Sequence, residues 1–370
     1  MPDRTARLFL AGDVMLGRGV DQILPHPGDP RLRESYVTDA RTYVQLAEEA
    51  HGRLTTPVEA AWPWGDALAT LDHEAPDVRV LNLETSITRS DDFVPGKGVH
   101  YRMHPDNLAG LLAARPDVCV LANNHVLDFG IRGLEETLDV LSAAGVRTAG
   151  AGRDHDEARQ PAVIPLGDDR RLLVFALGAT SSGIPAGWAA SPDRPGIEVV
   201  DEPLADHTSE ILDRIERWRR PADRVVVSIH WGSNWGYRVP RDQTRVAHAL
   251  IEGGVDVVHG HSSHHPRPLE VHRDRLILYG CGDLINDYEG IGGHEGYRAD
   301  LRLLYLVDVE VETGELVGLR MLPMRARRLR LERAGPDDGE WLRSSLDEVS
   351  RDRGVRVVGG PHGDLVLERA

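Results

Sequence analysis

VDVVHGHSSHHPRPLEV, residues 255–271, is the stretch whose reading decides the fold. A short β-branched run gives way at once to His259, His261, His264 and His265. An apolar strand that ends in ionisable side chains is a repeated pattern in both directions along the chain. RLFLAGD at 7–13 ends in Asp13, DVRVLNLE at 77–84 in Glu84, PDVCVLANNH at 116–125 in Asn124 and His125, and DRVVVSIHWG at 223–232 carries His230. RLLVFALG at 171–178 and RLILYGCGD at 275–283 read as further strands, and 301–324 as two terminal ones. Helical periodicity predicts helices at 105–115, 131–145, 203–219 and 241–253. Strand, polar turn, amphipathic helix, many times over, is an α/β layered architecture.

The polar residues fall where such folds build sites. Side chains converge at the carboxyl ends of strands, because the chain leaves the sheet there. Taken singly, Gly12-Asp13 reads as a turn, Asn124 as a left-handed turn residue and His230 as a hydrogen-bonded core histidine. Their ordered conjunction at five strand ends points instead to a divalent metal centre. Carboxylate, amide and imidazole suit Mn, Zn, Fe or Co, whereas the two scattered cysteines, Cys119 and Cys281, exclude a thiolate site.

Composition narrows the partners. The chain has 370 residues with a formal net charge of -16, which removes the electrostatic footprint of nucleic-acid or anionic-membrane binding. Two cysteines, no export signal in MPDRTARLFLAGDVMLGR and no long apolar window predict a cytoplasmic protein without a membrane span. Of the 43 basic residues only Lys97 is a lysine, a bias read here as coding composition without structural weight. Irregular segments are expected at 22–60, 90–104 and 179–202. A catalytic domain over 1–325, with a C-terminal extension over 326–370, is the simplest organisation.

GDVMLGR at 12–18, NLETSIT at 82–88, ANNHVLDFG at 122–130, HWG at 230–232 and GHSSHHPRPLEV at 260–271 resemble the CapA-like family of capsule poly-γ-glutamate proteins. That family belongs to the calcineurin-like metallophosphoesterase superfamily. The resemblance implies a two-sheet β-sandwich flanked by helices, with metal-binding loops at one edge. It implies Asp13 and His264 as ligands of a first metal, Glu84 in the bridging position, and Asn124, His230 and His261 at a second. His125 would be the outer histidine that donates a proton. Met15 stands where the superfamily has a further histidine, so the first position is expected to be short of a ligand, leaving one firm metal and a weaker second site.

The same resemblance includes a branch of lasso-peptide epimerases. The expected function is therefore a metal-dependent isomerase that inverts a Cα centre of a precursor peptide. Asp13 and His294 would exchange the proton from opposite faces, with His125 as substitute. Hydrolysis of a small phosphoester, and a soluble capsule-related CapA-like role, are the alternatives. Trp231 and Trp235 are expected to wall the substrate, Arg18 and Arg102 to clamp its carboxylate or phosphate groups, and the polar, Gly-rich loop 279–301, which includes Asp283, to act as a lid bringing His294 and Arg298 over the metal.

Overall fold

Period-two alternation along the strands sends apolar side chains to both sides of two sheets. The computed structural model describes residues 5–370; residues 1–4, the start of the segment read as lacking an export signal, lie outside them. One sheet runs in the order Val355–Gly359, Leu365–Arg369, Leu316–Ala326, Leu301–Glu310, Thr5–Val14, Val78–Leu83, Val118–Val120, Arg147–Ala149. Asp283–Ile285 pairs with the end of Thr5–Val14, and Leu331–Arg333 with Leu316–Ala326. The second sheet runs Val199–Val200, Arg170–Ala179, Arg224–His230, Val257–His261, Arg275–Leu278, Leu269–His272, with Ala162–Gly167 beside Arg170–Ala179.

Leu8, Leu10, Val80 and Val118 point into the same apolar cluster as Val174, Val226, Val257 and Leu278, so the two sheets face each other. The alternate residues Phe9, Leu81 and Cys119 pack outward on Leu71, Leu111, Leu134 and Leu138 from the helices of the first sheet. Phe175, Val227 and Ile229 do the same on Ile211, Ile215, Val246 and Leu250. Sheets covered on both faces read as unbroken hydrophobic runs. This is the helix-flanked two-sheet sandwich that the resemblance implied.

The four expected helices are present as Pro105–Asn107 with Leu108–Leu112, Gly130–Ala143, Leu204–His207 with Thr208–Trp218, and Arg241–Glu252. The 22–60 segment is less irregular than expected. It contains a helix, Arg41–His51, whose buried Tyr43 and Ala47 seat it on the fold. The last residues supply a helix, Pro336–Ser350, and a hairpin that continues the first sheet. Leu342, Leu346, Val355, Val357, Leu365 and Leu367 belong to the inter-sheet cluster, and a division at 325–326 would cut the strand Leu316–Ala326. Among the described residues, no helix is long and apolar enough to cross a membrane.

Candidate metal centre

Two Gly-Asp steps meet where the strands Thr5–Val14 and Asp283–Ile285 pair, so Gly12-Asp13 lies in a strand and not in a turn. A Cβ on Gly12 would lie 1.7 Å from the Gly282 carbonyl oxygen, so only glycine allows this approach. The contact puts Asp13 in register with Asp283 on one side and Asn82 on the other. Asn82 Nδ2 donates to Asp13 Oδ1 at 2.8 Å and to Glu84 Oε2 at 3.1 Å, while Asn82 Oδ1 accepts from Asn123 Nδ2 at 3.0 Å. The second sheet brings His230 and His261 side by side. Ser262, at φ 96°, then bends the chain, and His264 follows close enough to meet Asp283 at 2.9 Å.

Asp13 is shared by two ligand groups whose donor atoms all lie within 4.8 Å of one another: Asp13–His230–His261 and Asp13–His264–Asp283. Asn124 Oδ1 adjoins His230 Nε2 at 3.1 Å, and Glu84 Oε2 lies 3.9 Å from His230 Nδ1. The six ligands read from the sequence therefore converge. Asp283, placed by the sequence reading in the polar loop 279–301, joins them as a further candidate ligand beside Asp13 and His264. Its signal was available: CGD at 281–283 ends a strand as AGD at 11–13 does.

The donor set fits divalent cations, because without them its demands conflict. Asp13 Oδ2 is buried and accepts no hydrogen bond. Burial, and then the Asp283 carboxylate, push Asp13 up to about 7, and the same causes together with Asp13 hold Glu84 well above the carboxylate range. His230 is fully buried and its pKa is depressed by burial, so it carries one ring proton. It nevertheless meets an acceptor at each nitrogen, Asn124 Oδ1 at 3.1 Å and His261 Nδ1 at 2.8 Å.

His261 shows why Nδ1 is an acceptor. His259 Nε2 donates to the Ala11 carbonyl at 3.0 Å, so its Nδ1 accepts from Ser228 Oγ at 3.1 Å. Ser228 then accepts from His261 Nε2 at 2.9 Å, and the bare Nδ1 of His261 turns to the centre. His259 and Ser228 are thus the relay that orients a ligand. At the other group the signs reverse. Burial opposes the charged forms, but mutual attraction lifts His264 and lowers Asp283, and Asn286 Nδ2 holds the far Asp283 oxygen at 2.6 Å.

His125 stands at the rim, 7% exposed. Its Nδ1 donates to Asp128 at 2.7 Å, and Nε2 faces Glu84 Oε1 at 3.9 Å. Burial and then Lys97 depress it to about 4. Lys97 also bonds the Asn124 carbonyl and Asp128. The lone lysine, dismissed as composition, is therefore part of the site.

The substrate-facing expectations need correction. Arg18 is a buried staple: Asp287 takes its fork at 2.8 and 2.5 Å, Glu34 takes a third nitrogen at 2.9 Å, and Tyr43 and Tyr101 cover its faces. Arg102 is held by Asp91 and two carbonyls, and Arg298 by Asp300 and Asp338. None of the three has a free fork. Trp231 is fully buried against Tyr279 under the helices of the second sheet, because it continues the helix-facing register of Val227 and Ile229. Trp235 alone lies at the centre, edge-on to His264 at 5.4 Å, with the exposed His294 flat upon it at 3.8 Å. His294 therefore packs on an aromatic, whereas Asp13 is wholly buried among the candidate ligands.

A probable polyglutamine synthesis accessory protein of Mycobacterium tuberculosis is 52% identical over 98% of this chain and 95% of its own length. The capsule biosynthesis protein CapA of Bacillus anthracis is 24% identical over 76% of this chain and 59% of its own. Among solved structures, a phosphatase of Mycoplasma pneumoniae aligns over 87% of this chain and 94% of its own at 11% identity and a TM-score of 0.47. The sequence profile of the bacterial capsule synthesis protein family, PGA_cap, matches residues 7–288, which include every candidate ligand of the centre. The chain belongs to that CapA-like family.

Proposed function

We propose that this protein is a metal-dependent hydrolase of phosphoesters, working in the production of a glutamine polymer. The observation that carries the reading is Asp13, shared between two ligand groups and left with a buried oxygen that accepts nothing. Divalent ions held by Asp13, Asp283, His264, Asn124, His230 and His261 would supply Lewis-acid polarisation and acidify water. Three carboxylates (Asp13, Glu84 and Asp283) against two such ions leave one net positive charge, which suits an anionic phosphoryl group. Asp128 orients His125 so that Nε2 faces the centre, where the ring, once it has taken a proton from solvent at that nitrogen, can pass it to a departing oxygen. Trp235 offers a half-buried aromatic face beside His264 for an organic substituent.

The setting rests on the near full-length likeness to the mycobacterial polyglutamine accessory protein. A polymer of neutral glutamine side chains is also compatible with a chain of net charge -16, which would repel polyglutamate. The epimerase reading has less support, since Asp13 lies in both candidate ligand groups and the exposed His294 stacks on Trp235.

The test is turnover of bis-p-nitrophenyl phosphate and p-nitrophenyl phosphate with Mn, Zn, Fe or Co added. Metal-dependent release that is lost in Asp13→Asn supports the reading. No turnover of either ester with any of the four metals contradicts it. Deletion of the gene, with cell-associated glutamine polymer as the readout, separately tests the setting.

A further inference from the structure

Every basic position in the chain is arginine except residue 97. A composition pressure that replaces lysine elsewhere leaves one where its geometry is used. Lys97 extends from the irregular 88–100 segment into the back of the ANNH turn. Its Nζ meets the Asn124 carbonyl and Asp128 Oδ1, and lies 2.9 Å from His125 Nδ1. The Trp188 ring, from the 179–202 segment, closes over the ammonium at 5.3 Å. The side chain is 16% exposed. One nitrogen thus ties together three segments that no sheet hydrogen bond joins.

The acceptors converge on a point. An ammonium is a compact centre with three rotatable donors, whereas guanidinium spreads its donors along a rigid planar fork. An arginine at 97 would carry the charge, but each of its terminal nitrogens has two hydrogens fixed in the guanidinium plane, against the three freely rotating ones of the ammonium. Asp128 is further fixed by the Tyr101 backbone N–H on Oδ2 at 2.7 Å, the same oxygen that receives His125 Nδ1. With Lys97 on Oδ1 the carboxylate is held at both ends, and so is the imidazole it orients.

We propose that Lys97 is a positioning residue for His125, acting through Asp128 and the Asn124 backbone, and that arginine cannot replace it. This rests on the hydrolase reading for its kinetic test, and on geometry alone for its spectroscopic one. Loss of positioning leaves ligands and substrate contacts in place, so it lowers kcat and spares KM.

The kinetic experiment compares wild type, Lys97→Arg, Lys97→Met, His125→Gln and Lys97→Met/His125→Gln on bis-p-nitrophenyl phosphate with saturating Mn. The expected result is a kcat loss of about tenfold or more in both lysine variants, at unchanged KM. In the His125→Gln background the lysine substitution should change kcat by less than about twofold, because groups that act as a unit are not additive. Additive losses, or a Lys97→Arg enzyme equal to wild type, overturn the proposal. The second arm needs no turnover: the ring ¹⁵N signals of His125, identified by their loss in His125→Gln, should move in Lys97→Arg while thermal unfolding stays cooperative. Unmoved signals in a folded Lys97→Arg protein also overturn it. If wild type itself does not hydrolyse the ester but the signals move, the hydrolase reading fails and the positioning role stands.

Discussion

Among the described residues, three or more histidines and carboxylates come within ligand distance of one another in two places, with opposite consequences. At the sheet edge, Asp13, His230, His261, His264 and Asp283 converge with an orphaned oxygen among them. Some way along the second sheet, His248, Glu270 and His272 also lie within ligand distance of one another. There each group is already satisfied. His248 bonds Glu270 at 2.6 Å, Tyr279 and Arg353 take the other Glu270 oxygen at 2.8 and 2.6 Å, and His272 bonds Glu252 at 3.0 Å. The two imidazoles stack at 3.9 Å and 3°. Ligand chemistry and proximity are alike in both clusters. Unmet electrostatic demand is what separates a metal centre from a salt-bridge network, since uncompensated buried charge costs several kcal/mol.

The sharpest way to break the comparison is Asp13→Asn. It removes the shared ligand, and hydrolysis should fall by about 10³-fold or more, with metal lost from both groups. His125→Gln leaves every ligand in place, so metal content should persist while kcat drops by about 10²–10⁴-fold, as for loss of a general acid. Ser228→Ala cuts the relay behind His261. Calorimetry should then show Mn affinity weakened by about 10–100-fold, the usual effect of removing an outer partner of a ligand.

The pH dependence sharpens the same contrast. Asp13 sits near 7 in the folded apoprotein and near 3.8 when unfolded, so its protonated form favours folding. That contribution is fully present below pH 4 and is lost as pH rises through about 7. A metal ion must displace the same proton, so Mn affinity should fall by about tenfold per unit as pH drops below 7. Apoprotein stability and metal affinity should therefore move in opposite directions with pH. At the other cluster the expected effect is smallest: His272→Ala should leave metal content unchanged and cost about 0–1 kcal/mol in urea unfolding, as for an exposed pair.

Much of the centre was legible because a strand ending in a ligand writes both facts in adjacent residues. Asp13, Glu84, Asn124, His230, His261 and His264 each follow an apolar run, and the sandwich places all such ends at one edge. Asp283 was hidden because the glycines and acids after it read as a loop, although Gly282 is there to let two backbones touch. The arginines failed for a different reason. The partner that consumes Arg18 is Asp287, 269 residues away, and no local pattern reports such a pair. Trp231 was misplaced because neighbouring glycines suggested a loop, while its register continues Arg224–His230 into the core. The helix Arg41–His51 was obscured by the Pro- and Gly-rich sequence around it.

The central claim is that unmet demand at Asp13, and not the mere presence of ligands, makes the metal site. Crystals soaked in Mn and measured above and below its absorption edge test this directly. The account predicts anomalous peaks beside Asp13, within reach of His261 and of Asp283, and none at His248–Glu270–His272. A peak at the second cluster with none at Asp13 would contradict it.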